Sequence, residues 1–550
     1  MSNNWDNEYP KGLSENLGSI DNDTIIDLLE SSARKYESKI AYYSLNSSLN
    51  YKMTSLLAKR LAAYLQYLGV RKNTKIAIML PNLLTYPISL FGSYYCGATV
   101  INVNPMYKSR EIQHLLEDSE AEYIFVLDKF YNELQPCIKT SKLKKIIICK
   151  INDLLNPLMK FFVPMVMFYK KQTVNIEKNN KNIYFKDIIS NNFGFEDVHV
   201  EQDDIALLQY TGGTTGKSKA AVLTHKNLLS NVQQVSNWIE PHIKSGTEII
   251  ITALPLFHIF SFTVNCLTFL KIGAENVLIA NPRDLKSFLK VLEKKKFTVM
   301  TAVNTLFNLL LTSKKFKELD FSEFKFSVGG GMAVMSETAK NWKKVTGTNI
   351  TQGYGLTETS PVVSINKIDN PFNGSIGLPV QSTNIKIIDE SGKNVDGEQP
   401  GELCVKGPQV MSGYWKYKED QENPFTDDGF FKTGDIATIS KDGYLTIVDR
   451  KKDMIISSGY NVFPNELEDF LSTHHDILEA GVIGVPDKNR GEHIKAFIVK
   501  KNKNLSETDV IMFCKEGLTE YKVPKKIIFI DDLPKTNVGK ILRRELRNLG

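Results

Sequence analysis

The stretch YTGGTTGKSK, Tyr210–Lys219, sets three glycines, three threonines, a serine and two lysines in ten residues. It lies between two short apolar runs, IALLQY (Ile205–Tyr210) and AAVLT (Ala220–Thr224), whose length and composition suit strands. Gly212, Gly213 and Gly216 allow a tight turn in which backbone N–H groups face an anion. Thr211, Thr214, Thr215 and Ser218 add hydroxyl donors, and Lys217 and Lys219 add positive charge. This is phosphate-binding chemistry. The rival is a Walker loop, GxxxxGK[ST], which Gly216, Lys217 and Ser218 fit in its second half. That motif needs a glycine at 211, where the chain has threonine, and a helix directly after, where the chain has a second strand-like run. Helical patterning starts only near Thr224, so the stretch reads as a strand–loop–strand hairpin. The bland alternative is a solvated Gly/Thr turn without a ligand.

Outward from the hairpin, helix-like and strand-like runs alternate. Thr24–Tyr36 and Thr54–Leu68 have amphipathic helical spacing, and Ile76–Leu80, Thr99–Val103 and Tyr123–Leu127 read as strands, which predicts a mostly parallel sheet. The alternation resumes from 183 to about 380. It there carries ALPLFHIF (Ala253–Phe260), VGGGM (Val328–Met332) and QGYGLTETSP (Gln352–Pro361). Residues 385–449 change to short strands with SG and DG turns, an antiparallel sheet or small barrel, and the last hundred residues form a separate α+β pattern.

At 550 residues the chain is too long for one core, and 42% hydrophobic with 24% charged residues is ordinary for a globular protein. The net charge of +6 is dispersed, which suits small polyanions and argues against nucleic acid as a partner. Six scattered cysteines without a CxxC exclude a disulfide framework and a zinc site and fit a reducing cytoplasm. The first residues, MSNNWDNEYPKG, lack the pattern of a signal peptide. Ile76–Tyr107 and Ile249–Leu270 carry no Asp, Glu, Lys or Arg, yet glycine, proline and histidine interrupt them, so buried strand–loop–helix units are expected rather than membrane spans. LLNPLMKFFVPMVMFY (Leu154–Tyr169) is different. Pro157 and Pro164 argue against one clean helix. Two readings stand for 154–171: a peripheral membrane contact on the cytoplasmic face of the inner membrane, with Lys160, Lys170 and Lys171 meeting anionic lipid, or an apolar insertion packed on its own domain.

The ordered set YTGGTTGKSK, PLFHIF, VGGGM, YGLTETSP, GSIGLPV, GELCVKGPQVMSGYW, FFKTGDIATISKDGYLTIVDRKKDMIISSGYNVFPNELE and LPKTNVGKILRREL resembles the adenylate-forming superfamily of acyl-CoA synthetases, luciferases and peptide-synthetase adenylation domains. It is most similar to bacterial long-chain fatty acid–CoA ligases, over nearly the whole chain. The resemblance implies an α/β fold: a large N-terminal domain (1–450) of two α/β subdomains plus a small β-barrel (385–449), and a small mobile α+β C-terminal domain (451–550) hinged near Lys452. It implies ATP, a fatty acid and coenzyme A as substrates, with Mg2+ accompanying ATP. Acyl-AMP forms first, and the acyl group then passes to the thiol, releasing AMP after pyrophosphate. The alternatives are an acyl or aryl acid ligase serving another thiol such as a carrier protein, and a non-catalytic acyl- or nucleotide-binding relative. The oligomeric state stays open.

Position by position, the resemblance assigns Thr211, Gly212, Gly213, Thr214, Thr215, Lys217 and Lys219 to the β- and γ-phosphates, and Tyr210, Gly216 and Gly355 to ATP binding in general. Gly329, Gly330, Gly331 and Tyr354 form the adenine wall, with Thr357 at the α-phosphate. Glu358 and Thr214 hold magnesium, Asp435 meets the ribose, Arg450 meets that ribose or the phosphate, and His258 lies beside the acyl carbonyl. Lys540 is the catalytic lysine, Lys452 the hinge, and Ser458, Gly459 and Tyr460 the floor of a coenzyme A tunnel. Arg543, Arg544 and Arg547 read as the basic face of a terminal helix. The chemistry is consistent with this. Bringing a carboxylate to a tetra-anion demands converging positive charge, and one screened lysine about 4 Å from a phosphate contributes only ~1 kcal/mol.

Overall fold

The computed structural model describes residues 8–169, 174, 176, 179–190, 192–211, 218–395, 398–417, 423–457, 460–487, 491–536 and 539–549. A seven-stranded sheet runs in the order Asn182–Tyr184, Lys145–Cys149, Tyr123–Leu127, Lys75–Met79, Thr99–Asn102, Ile205–Tyr210 and Ala220–Thr224. It is parallel except for the last pair, the hairpin around the phosphate-loop sequence. A second sheet has nine strands. Its parallel centre joins Ile350–Gly355, Phe326–Gly329, Val299–Ala302, Ile249–Thr252, Glu275–Leu278 and Ile40–Ser44, and antiparallel strands form both edges. One apolar core, including Leu61, Phe91, Phe125, Leu207, Phe262 and Leu270, fills the space between the sheets.

Local chemistry fixes the helix starts. Thr24 accepts from Asp27 N–H while Asp27 accepts from Thr24 N–H, so the first helix runs Ile25–Lys35. The second begins at Tyr51, three residues before the expected Thr54, because the Asn50 side chain caps it by accepting from Met53 N–H. Thr224 ends its strand and caps the helix His225–Ile239 in a reciprocal box with Asn227, so the hairpin enters the helix without a linker. The charge-free stretches are buried strand–loop–helix units: Lys75–Met79 leads to the helix Thr85–Tyr95, and Ile249–Thr252 to a π-helix, Ser261–Thr268. Among the described residues no helix is long and apolar enough to cross a membrane. The two prolines of the 154–169 segment do not break it. Pro157 takes the first helical position, where its missing N–H costs nothing, and Pro164 sits inside the helix Pro157–Tyr169. All six cysteines are free and buried.

Asn384–Ile388, Gly401–Lys406, Phe431–Ile439 and Leu445–Arg450 form an antiparallel four-stranded sheet, tied to the nine-stranded one by Leu445 N–H donating to Gly377 O at 2.9 Å. Beyond it a five-stranded sheet is built around the long hairpin Ile477–Asp487/Gly491–Lys500, with the helix Pro464–Ser472 and a separate apolar core. In the nine-stranded sheet, the chain leaves the carboxyl ends of Ile249–Thr252, Phe326–Gly329 and Ile350–Gly355 carrying ALPLFHIF, GGM and LTE. Such a row of strand ends is where open α/β sheets bind ligands.

Candidate functional site

These strand ends, the hairpin and the C-terminal part enclose a cavity of about 2230 Å³. Its lining combines charged side chains with Val235, Ile239, Val264, Phe269, Phe326 and Ile365, which belong to one apolar core.

The hairpin closes through Thr211 N–H donating to Lys219 O at 2.9 Å, a strand–loop–strand arrangement unlike a Walker loop. Gly212, Gly213, Thr214, Thr215, Gly216 and Lys217 lie outside the described residues. Tyr210 donates its hydroxyl to Asp118 at 2.6 Å, so that group is committed to the helix Ser109–Ser119. The Lys219 ammonium stands 5.3 Å over the ring of Tyr414, and the Tyr414 hydroxyl donates to Glu358 at 2.7 Å. Tyr414 reaches this place because its segment adds to the hairpin edge: Ala221 bridges Tyr414, and Trp415 N–H donates to Ala220 O at 2.8 Å. Sequence reading gave Tyr414 no role, although the motif GYW contains it.

Glu358 is buried, and burial pushes its carboxyl up from the ordinary range against the pull of Tyr414. Among the described residues no lysine or arginine pairs with it. A buried carboxylate held by a tyrosine hydroxyl, with no ion pair among the described residues, is the donor chemistry a divalent cation satisfies.

Asp435 and Arg450 are cross-strand neighbours of the antiparallel sheet, and the guanidinium Nε lies 3.1 Å from the Asp435 carboxylate. The other Asp435 oxygen accepts from Tyr354 at 2.6 Å. Tyr354 thus joins the expected adenine wall to the expected ribose acceptor. Gly330, Gly331 and Thr357 also line the cavity. Gly329 and Gly355 line it too, and they also allow close packing. A Cβ on Gly329 would lie 2.6 Å from Val334, and one on Gly355 would lie 2.1 Å from the Pro361 carbonyl oxygen, so both allow the protein to pack against itself.

His258 lines the cavity, and its Nδ1 accepts from Phe260 N–H at 3.3 Å. Burial, then the neighbouring Lys540, lowers the ring to about 4. It is therefore neutral at pH 7, with its proton on Nε2, free to donate to an oxygen. Lys540 reaches the same cavity from the C-terminal part. Burial, then Arg450, pulls its ammonium down to about 8. Lys452 lines the cavity near Lys540. Tyr460 does not: it is 57% exposed and stacks on Tyr521, and Ser458 and Gly459 lie outside the described residues.

The terminal arginines require a correction. Arg544 is exposed and pairs with its neighbour Glu545, as a basic surface would. Arg543 is buried. It binds Glu468 through two nitrogens at 3.1 and 2.8 Å, Asn465 at 2.6 Å and Asp449 at 3.2 Å, and Arg547 meets Asp453 at 3.0 Å. Burial opposes the Arg543 charge, but Glu468 and Asp449 more than offset it and hold the guanidinium above its ordinary value.

Comparison with known proteins gives a consistent result. The family model of AMP-binding enzymes matches residues 29–415, and that of the AMP-binding enzyme C-terminal domain matches 466–540. The chain is 44% identical to a long-chain-fatty-acid–CoA ligase of Escherichia coli O6:H1 over all of this chain and 98% of the relative. It is 35% identical to the enzyme of that description in Bacillus subtilis, covering 98% and 97% of the two chains. Among solved structures, an anthranilate CoA ligase with anthranoyl-AMP aligns with a TM-score of 0.85 at 25% identity over 96% and 97% of the chains. The o-succinylbenzoate CoA synthetase of Bacillus subtilis with its acyl-adenylate aligns at 0.78 and 26%, over 94% and 97%.

Proposed function

The chain belongs to the AMP-binding enzymes, and from that premise we propose that it is an AMP-forming long-chain fatty acid–CoA ligase. The observation that carries this is the cavity itself, which a lysine from the C-terminal part and a carboxylate–arginine pair line together with a group of apolar core side chains. A fatty acid fits this layout, since each buried methylene contributes about 0.8 kcal/mol while the carboxylate stays among cations.

In the first half-reaction the acid's carboxylate oxygen attacks the α-phosphorus of ATP, and the bond to pyrophosphate breaks. Lys540 balances the charge gathering between carboxylate and phosphate. His258 donates Nε2–H to an oxygen of the same centre and takes no proton, because the nucleophile is already ionised. Asp435, steadied by Tyr354 and Arg450, accepts from the ribose hydroxyls. Thr211 and Lys219, with the loop between them, hold the departing phosphates. Magnesium would be held by Glu358, together with Thr214 of that loop, and would supply the largest single countercharge to the triphosphate. In the second half-reaction the C-terminal part turns about Lys452 and withdraws Lys540. The sulfur of coenzyme A then attacks the acyl carbonyl and AMP leaves. Tyr460, exposed in the Lys540-inward arrangement, is carried with Ser458 and Gly459 toward the thiol's approach by that rotation.

The test is coenzyme A thiol consumption with acids from acetate to oleate, together with AMP and pyrophosphate release. Thiol loss should match AMP one for one and be fastest with long chains. Acid-independent release of orthophosphate, or acyl transfer only to a carrier protein, would reject the assignment.

We further propose that the helix Pro157–Tyr169 rests on an anionic bilayer. Leu158, Phe161, Phe162 and Met165 are exposed along it at 66%, 70%, 44% and 46%, and Lys160 is exposed beside them. Lys170 and Lys171 lie outside the described residues. Withdrawing a phenylalanine from an apolar medium costs about 1.5–3 kcal/mol. Phe161→Asp with Phe162→Asp should therefore weaken co-sedimentation with phosphatidylglycerol vesicles at least roughly tenfold, with turnover of a short soluble acid unchanged. Equal binding of both proteins would assign the helix to packing on its own domain.

A further inference from the structure

The helices Asn304–Leu311 and Ser336–Thr346 begin side by side, tied by Met335 N–H donating to the Asn304 side chain at 3.0 Å, and Met335 and Ser336 line the cavity. Their N-cap residues, Val303 and Met335, have no side-chain oxygen with which to satisfy the first N–H groups. At Thr24, Asn50, Thr224, Asp284, Ser313 and Ser506 the cap comes from the helix's own N-cap residue. For Ser336–Thr346 it comes from the C-terminal part. Asp469, on the helix Pro464–Ser472, accepts from Ser336 N–H at 3.1 Å, and its two oxygens accept from the Ser336 hydroxyl at 3.2 and 3.1 Å. A carboxylate at a helix start is favoured by both the exposed N–H groups and the helix dipole.

At the neighbouring helix start the C-terminal part makes its second close approach. Gly539, the residue before Lys540, has φ +86°, and a Cβ there would lie 2.3 Å from Thr305 Oγ1 and 3.3 Å from Val303 Cγ2. The loop that carries Lys540 thus lies directly against the first turn of Asn304–Leu311, at a distance only glycine permits.

We propose that the paired helix starts at 304–305 and 335–336 form the seat on which the C-terminal part docks to deliver Lys540. Asp469 is its latch and Gly539 its point of close approach. Both are positioning residues for acid activation and neither touches the reacting atoms. The inference rests on the rotation about Lys452 set out above. It explains how one lysine is held in register by a domain that must also leave: the latch is a few hydrogen bonds at an exposed rim, strong enough to bias the docked state and weak enough to release.

The test uses the full chain with dyes at Lys317→Cys and Lys515→Cys, two exposed positions, the first on the helix Lys314–Lys317 that follows Asn304–Leu311 and the second on the helix Glu507–Gly517 of the C-terminal part. The six native cysteines are buried and stay unlabelled. Energy transfer reports the docked fraction, ATP–pyrophosphate exchange reports acid activation, and thioester formation from supplied acyl-adenylate reports the second half-reaction. Asp469→Ala should lower the docked fraction and the exchange rate about three- to tenfold, and Asp469→Asn, which still caps, should lose less. Gly539→Ala should lower both roughly tenfold or more through the clash and the positive φ. Adding Thr305→Ala should restore part of that loss, since it removes the atom in collision and leaves the φ strain. Thioester formation should stay within about twofold of the parent chain in every variant, because it uses the undocked arrangement. An unchanged docked fraction in Asp469→Ala, no recovery with Thr305→Ala, or equal loss of both half-reactions overturns the seat. A parent chain without acid-dependent exchange would instead reject the ligase assignment, and the docked fraction would still decide the latch.

Discussion

Lys540→Ala is expected to lower acid-dependent pyrophosphate exchange roughly a thousandfold while leaving thioester formation from supplied acyl-adenylate within about twofold. The reason is geometric. Lys540 is the cation the C-terminal part inserts beside Arg450 and His258, and His258 is neutral there. The same insertion predicts a pH dependence. Burial lowers the ammonium to about 8, so the charged form predominates below that pH and is lost as pH rises through it. For acid activation, kcat/KM should fall about tenfold per unit above pH ~8, and this limb should be absent from the thioester half-reaction. Bound triphosphate favours the ammonium, so the limb in kcat should lie at higher pH than the limb in kcat/KM. His258, at about 4, ionises too low to contribute. Lys540→Arg should remove the alkaline limb even while it slows the reaction, because a guanidinium does not titrate in this range. An alkaline limb that survives in Lys540→Arg, or a Lys540→Ala variant losing both half-reactions equally, would assign the lysine another role.

What the sequence disclosed and what it hid follow from how far each relation reaches along the chain. The hairpin was legible because strand patterning, turn glycines and the Thr224 cap all lie within a few residues of one another. The apolar spacing marks a helix from Thr54, but the Asn50 side chain caps it three residues earlier, at Tyr51. Pro164 argued against a helix on intrinsic cost, and the structure accommodates it within Pro157–Tyr169. Longer-range relations left no local trace. Tyr414 meets Glu358 across 56 residues, and nothing in either neighbourhood specifies the other. Arg543 meets Asp449 across 94 residues, and an arginine on a short terminal helix has the pattern of a solvated face until the fold brings acids to it. The glycines were legible in a different sense: Gly329 and Gly355 both line the cavity, but the close packing each also allows, against Val334 and the Pro361 carbonyl, is visible only in the fold.

Arg543→Ala carries the largest expected cost to stability. The arginine side chain is 12% exposed, and its partners Asp449 and Glu468 are 0% and 3% exposed. Removing it leaves two buried carboxylates without a counter-charge, which costs about 3–5 kcal/mol, whereas Arg544→Ala, which breaks only an exposed pair, should cost about 0–1 kcal/mol. A chain of several cores does not unfold in two states, so a single midpoint would obscure this. Segment-resolved hydrogen exchange is the suitable measurement. Protection across Pro464–Lys500 should fall by a factor of roughly a hundred to a few thousand, with the seven-stranded sheet unaffected. Charge can be separated from packing. Arg543→Met keeps most of the volume and should be nearly as damaging, while Arg543→Met with Glu468→Gln should recover much of the loss, since a neutral amide no longer needs the guanidinium. If Arg543→Met alone is harmless, the cluster is held by packing. The consequence for catalysis follows from position. Asp449 precedes the proposed hinge at Lys452, Glu468 follows it, and Arg543 stands three residues after Lys540. One side chain therefore ties the catalytic loop to both sides of the turning point, and its loss should reduce acid activation more than its distance from the cavity's reacting centre would suggest.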